Sequence, residues 1–387
     1  MDDKKIALLG REPIEQGTSK THLTISQNSE KVKSDSDILQ YFTNTYSRFL
    51  LQDKAQKIIA EIFPKLKKSN YCKCHKITRS AIIDLKRNPE TLRAYYDGIC
   101  TCATPLLCPV CSPRIMGYRA AEIRKAVHLW LAEDENNTCY LITLTLRHSL
   151  KDNLVYLLEI FAKARKYFWS HWTVKKLFNQ SDRAGRITAT EINFSISNGW
   201  HPHQHILLFC KKTVFDIEVL RNIWLNALSS VGISGIGSIA FDLIEARSAD
   251  QYLTKISSEM VLGSLKDGRK NGSYSPFQLL AEVTQGAAWA RDRFTELFQA
   301  TRKIHPLVWS KGLKARFGIS EVSDQEISDN KADKSKLLKF LAILDDGFKK
   351  LTYTEKAALR NKAAIGDYTG AGEILKIAGI EPEKVYL

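Results

Sequence analysis

The sequence predicts an α+β protein with a central antiparallel sheet in β-α-β-β-α-β order, a Cys-rich segment and C-terminal helices. Three observations carry this. Between residues 139 and 260, segments that alternate or run apolar like strands are separated by segments of helical periodicity. Their order is that of the split β-α-β, ferredoxin-like arrangement. One of the strands, GWHPHQHILLFC at 199–210, carries three of the chain's nine histidines at every second position.

The elements follow in order. CYLITLTLRH (139–148) is apolar and β-branched, the composition of a strand. DNLVYLLEIFAKARKYFWSHWTVKKLF (152–178) repeats its apolar residues at helical spacing. GRITATEINFSI (185–196) alternates as a half-buried strand does, and the histidine strand follows it. Next come a helix, VFDIEVLRNIWLNALSS (214–230), a strand, SIAFDLIEA (238–246), and a helix, SADQYLTKISSEM (248–260). Such an order makes one sheet with helices on one face and leaves the other face free.

The remaining chain divides around this core. Residues 1–38 are polar, with few apolar anchors, and read as a flexible basic arm. Residues 39–115 hold a helix that ends before Pro64 and then the Cys-rich module; the core occupies 116–265. A helical extension is expected over 266–320, and a charged linker with a small helical appendage over 321–387. Against 42 acidic residues stand 57 Lys and Arg, a net charge of +15 that favours a polyanionic partner, most simply DNA. No run of about 18 apolar residues and no signal-peptide core are present, so a membrane role is not expected and a cytoplasmic location is.

His201, His203 and His205 share one strand face, with Pro202 and Gln204 on the other. Neutral imidazoles in such register suit a transition metal; a polar face of hydrogen-bonded histidines is the alternative. A three-residue loop, Ser197-Asn198-Gly199, would set Ile196 opposite Trp200, Glu191 opposite His205 and Asn193 opposite His203. A two-residue Asn-Gly turn would shift the register by one and turn Glu191 away. The first register is preferred because it adds a carboxylate to the histidine face. Two histidines and a carboxylate leave coordination positions open and suit Mg or Mn polarising a phosphate.

Cys72, Cys74, Cys100, Cys102, Cys108 and Cys111, with His75, fall within forty residues. CPVC at 108–111 has the spacing of a zinc knuckle, and paired thiols in a reducing compartment point to a structural zinc. Buried or redox-active thiols are the alternative. Basic neighbours such as Lys65, Lys73, Arg79 and Arg114 could touch duplex DNA, although such runs are more often solvated faces.

LITLT (141–145), PHQH (202–205) after Gly-Trp, and QYLTK (251–255) occur in an order that resembles the HUH endonucleases, most closely the rolling-circle replication initiators of the pC194/pUB110 plasmid type. CATPLLCPVCSPRI (102–115), SPFQLL (275–280) and VWSKGLKARFG (308–318) are similar to further segments of that family, so the resemblance spans roughly residues 70 to 320.

The resemblance implies an HUH nuclease core that nicks single-stranded DNA at an origin, links the 5′ phosphate to a tyrosine and later rejoins strands. Carried over, the nucleophile is Tyr252, the metal pair His203 and His205, and the assisting lysine Lys255. Lys255 is also three residues from Tyr252, one helical turn, where it could steady a phenolate whose usual pKa is near 10. The family's C-x5-C-P-x-C pattern implies zinc ligands Cys102, Cys108 and Cys111, with Cys74 as the fourth and Cys72, His75 and Cys100 in reserve. Implied partners are a single-stranded nick site, a duplex origin, and a host polymerase and helicase. Gln204 departs from the family, which places an apolar residue between the paired histidines. Ser248 and Ala249 stand where a terminating Glu is often found. A transposase or relaxase, and a non-enzymatic zinc-containing DNA-binding regulator, are the competing readings.

Overall fold

A computed structural model describes residues 35–64, 73–77, 81–233, 237–246, 272–329, 337–380 and 385–386. The chain opens with α1 (Asp35–Ile62), followed by β1 (Lys73–Ile77), β2 (Ile82–Asn88), β3 (Arg93–Asp97) and β4 (Ile99–Cys100). Next is α2 (Ser112–Glu133), entered through a proline in its first turn. The central segment contains β5 (Asn137–Leu144), α3 (Leu154–Ser170), α4 (Trp172–Gln180), β6 (Gly185–Ser195), β7 (Gly199–Lys211), α5 (Ile217–Ser229) and β8 (Phe241–Ala246). The helix expected over 152–178 divides at His171, whose backbone is extended and whose ring accepts from the Thr173 N–H to cap α4.

The chain continues with β9 (Ser273–Tyr274), α6 (Pro276–Thr284), α7 (Ala288–Thr301), β10 (Leu307–Trp309), α8 (Leu313–Arg316) and α9 (Asp324–Ser328). It ends with β11 (Leu338–Leu344), α10 (Asp345–Lys350), α11 (Tyr353–Ile365), α12 (Tyr368–Ile377) and β12 (Val385–Tyr386). Capping boxes start α6 and α11, and Gly366 in the left-handed conformation ends α11.

The main sheet runs β10-β6-β7-β5-β8, with β9 also on β6, and every pairing in it is antiparallel. One face packs on α1, α3, α4, α5, α6 and α7 through residues such as Leu144, Phe168, Phe194, Trp200, Leu208 and Trp224. The opposite face, expected to be free, is partly covered. Ala126, Val127 and Trp130 of α2 cover Leu141, Leu207 and Phe209, with the Trp130 and Phe209 rings edge to face at 6.4 Å. The apolar residues of β7 beyond the histidines required this cover, because Leu207 and Phe209 share the face of His203 and His205.

Residues 321–387 depart further from expectation, for β11 is a strand rather than part of a helical appendage. It pairs with β2, and the four-stranded sheet β12-β11-β2-β3 joins the chain's end to its early segment. Ile83, Leu85, Phe340 and Ile343 share a core with Leu359, Ala363 and Leu375 of α11 and α12. The apolar run LKFLAIL had served as a strand, a pattern that helical periodicity does not separate from a buried helix in so short a stretch.

Candidate functional site

The β6–β7 hairpin builds the site. Ser195 pairs with Gly199, leaving Ile196, Ser197 and Asn198 as the loop, and the ladder continues with Phe194 opposite Trp200, Asn193 opposite His201 and Glu191 opposite His203. The expected register, with Ile196 opposite Trp200, is therefore corrected by two residues. Burial accounts for the difference: Phe194 and Trp200 meet edge to face at 5.1 Å inside the core, whereas Ile196 is left 55% exposed. Because a strand repeats every two residues, the slip of two keeps Glu191 on the histidine face. Gly199 has φ +79°, the left-handed conformation expected of it, and a Cβ there would lie 2.6 Å from the Ser149 carbonyl oxygen. His148 Nδ1 lies 2.9 Å from the Asn198 carbonyl oxygen, so the segment after β5 holds the turn in place.

Glu191, His203 and His205 are all buried, and their ligand atoms lie within 4.8 Å of one another. Glu191 Oε2 is 2.8 Å from His203 Nε2 and 3.4 Å from His205 Nε2. Neither Glu191 Oε2 nor His203 Nδ1 has an aligned hydrogen bond among the described residues. A carboxylate oxygen and two imidazole nitrogens thus converge in one buried spot, the donor set that a divalent cation fits. Burial would raise the Glu191 carboxyl, but the contacts with His203 and His205 outweigh it and hold the group at about 2. A carboxylate so placed is ionised and ready to ligate.

Two neighbours absent from the sequence reading of the ligands orient them. Thr143 Oγ1 lies 3.2 Å from His205 Nδ1, which leaves Nε2 directed at Glu191. Asn193 Nδ2 donates to Glu191 Oε1 at 2.8 Å, leaving Oε2 for the histidines. The i+2 spacing of Asn193 from Glu191 was the signal available for it. Thr143 faces His205 across β5 and β7, a pairing that no local pattern reveals.

His201 does not join this group. Its ring stacks on His148 with centroids 4.7 Å apart, and burial followed by the charges of His203 and His148 lowers it to about 4. Gln204 points to the other face and donates to Thr190 Oγ1 at 2.9 Å, so the polar residue between the paired histidines has a partner. Tyr252 and Lys255 lie outside the described residues.

The second cluster brings Cys102, Cys108 and Cys111 together, again with ligand atoms within 4.8 Å. The Cys111 N–H donates to Cys108 Sγ at 3.3 Å as the chain turns into α2, and Cys102 Sγ is 3.9 Å from Cys111 Sγ. Cys100 is not in the cluster, and Cys72 lies outside the described residues. The backbone of β1, which carries Cys74 and His75, pairs with β4 so that Lys73 stands opposite Cys100. Pro105 and Leu106, in the loop between Cys102 and Cys108, line one cleft with Glu191, Asn193 and Phe277.

A family model described as replication protein matches residues 96–226. "Protein rep" of Streptomyces lividans is 25% identical over 336 residues, covering 66% of this chain and 73% of that protein. A "Neomycin resistance protein" of Streptomyces cyanogenus is 30% identical over 135 residues, 29% of this chain and 30% of that one. No solved structure matches the chain. The residues matched by the family model include Cys102, Cys108, Cys111, Glu191, His203 and His205, and the chain is similar to replication proteins in the segment that holds both clusters.

Proposed function

We propose that the protein is a replication initiator that nicks single-stranded DNA at an origin by transesterification. The observation that carries the reading is the convergence of Glu191, His203 and His205 on the histidine face of the sheet, within a segment similar to replication proteins. The antiparallel sheet supports it further, since its order β6-β7-β5-β8 sets His203 and His205 on an inner strand.

Glu191, His203 and His205 would hold Mg or Mn, which supplies charge to polarise a phosphate oxygen. Asn193 and Thr143 keep the carboxylate and His205 in place as that charge arrives. Tyr252 is assigned from the resemblance as the nucleophile. Its phenolic oxygen attacks phosphorus, the P–O3′ bond breaks, and the 3′ oxygen leaves with a proton as a free hydroxyl. The 5′ phosphate stays esterified to the tyrosine. Lys255, one turn on, would balance the phenolate or the phosphate. Cys102, Cys108 and Cys111, with Cys74 as fourth ligand, would hold a zinc that shapes the entry to α2. Duplex origin DNA, a host polymerase and a helicase complete the expected partners.

Incubation of the full chain with Mn and a library of labelled single strands tests the reading. A denaturant-resistant adduct on a defined sequence, lost in Tyr252→Phe, is the expected result. An adduct that persists in Tyr252→Phe overturns the nucleophile, and no adduct on any strand favours the non-enzymatic DNA-binding regulator.

A further inference from the structure

The side of the sheet away from Glu191, His203 and His205 holds a second concentration of chemistry. Arg186 is the second residue of β6, and its place in the alternation sets it with Ile192 and Phe194 on the face of α3 and α4. Its guanidinium lies over the Trp169 ring, 4.0 Å from the centroid. Arg165 of α3 and Arg183, just ahead of β6, are close enough that, after burial, their charges are what lowers Arg186, to about 10. All three arginines are partly buried, and none forms an ion pair among the described residues. Asp182, beside Arg183 in sequence, is 3.7 Å from Lys211 instead. A partly buried guanidinium beside two further cations, with no carboxylate paired to it among the described residues, loses free energy that a bound polyanion returns.

Exposed aromatic rings lie on the same two helices, α3 and α4. The Trp172 ring is 68% exposed and Tyr167 is 43% exposed, with His171 stacked on Trp172 at 6.4 Å. Lys163, Lys166, Lys175 and Lys176 are exposed along the same two helices. Guanidinium forks match phosphate oxygens, and an exposed indole takes the face of an unpaired base. Bases in a duplex offer no such face.

We propose that Arg165, Arg183 and Arg186 hold the phosphate backbone of a single DNA strand, one base of which stacks on Trp172, on the side of the sheet opposite the histidines. The surface contains no residue assigned to cleavage. It would hold a strand already separated from the duplex, or the tail of the one being cut, while the histidine face is occupied.

The test is binding by the full chain in EDTA, without cleavage, so that it stands apart from the adduct assay. Fluorescence anisotropy follows a labelled single strand, and a duplex of the same sequence, over a salt series. Arg165→Gln with Arg183→Gln should reduce the slope of log affinity against log salt by about 1.4, at about 0.7 for each phosphate contact on a single strand. Trp172→Ala should weaken single-strand binding about 10-fold with the slope kept. In the unaltered protein, a strand substituted with 5-iodouracil should photocrosslink to Trp172, a readout that does not depend on any variant folding. Unchanged slope and affinity in both variants, or crosslinks confined to residues outside α3, α4 and the start of β6, would overturn the proposal. So would a loss confined to the duplex probe.

Discussion

Glu191 and His203 face each other across the β6–β7 ladder, and Oε2 of one stands 2.8 Å from Nε2 of the other without an aligned N–H between them. Two acceptors brought this close inside a protein need a proton or a cation to share. A free imidazolium would supply the first, and a divalent metal the second with His205 as third ligand.

Calorimetric titration of the full chain with Mn distinguishes these. His203→Ala with His205→Ala should abolish binding at this site, and Glu191→Gln, which keeps the shape and removes the charge, should weaken it by about 10-fold or more, in the range of changes to metal-orienting groups. Unaltered Mn affinity in Glu191→Gln would leave the protonated pair as the better account.

His201 and Thr143 give a sharper contrast, because sequence and structure rank them differently. His201 stands in register with the two ligands but stacks on His148, whereas Thr143 is on another strand and touches His205 Nδ1. His201→Ala should therefore leave Mn affinity within about 2-fold, while Thr143→Val should lower it about 10-fold. The reverse ranking would return His201 to the ligand set.

How far the sequence reached depends on the range of the interactions involved. The alternation of the β6 and β7 segments was local, and it placed Glu191, His203 and His205 on one face even though the register was two residues out. The order of strands from 139 to 246 was legible for the same reason. Thr143 beside His205, α2 over Leu207 and Phe209, and β11 beside β2 are contacts between residues far apart in the chain, and no local periodicity encodes them. Leu307–Trp309 was missed as an edge strand because three residues carry too little pattern to stand out from the helices before it.

Gly199 tests the hairpin itself. Its φ of +79° and the 2.6 Å approach of a would-be Cβ to the Ser149 carbonyl oxygen leave no room for a side chain. Gly199→Ala should cost about 2 kcal/mol, combining left-handed strain with displacement of the 149–150 segment. Urea unfolding measures this, and the variant should also weaken Mn binding because the turn sets the Glu191–His203 register. A midpoint equal to that of the unaltered protein would show that the loop accommodates the methyl group, and with it that the turn is not pinned.

The last prediction concerns zinc and the C-terminal sheet. In the sequence the Cys-rich segment lies within residues 39–115, outside the core at 116–265, as a module of its own. The structure joins it to the chain's end instead: Cys108 and Cys111 are buried in the same core as Ile83, Leu85, Phe340, Ile343 and Leu359. Thiolates that gather around a metal contribute folding free energy wherever their neighbours depend on the ligand geometry. Replacing Cys108 and Cys111 with Ser should thus lower the zinc content by one ion per chain and raise hydrogen exchange in two separate stretches, β2–β3 and β11 through α12. The β5–β7–β6 strands, whose core lies mainly against α3, α5 and α7, should exchange little faster than before. Because Pro105 and Leu106 share a cleft with Glu191, a partial loss of Mn affinity should accompany the change. Elemental analysis of protein purified without chelators that finds no zinc would remove the metal from this account, and exchange that rises only between residues 70 and 115 would remove its link to the C-terminal sheet.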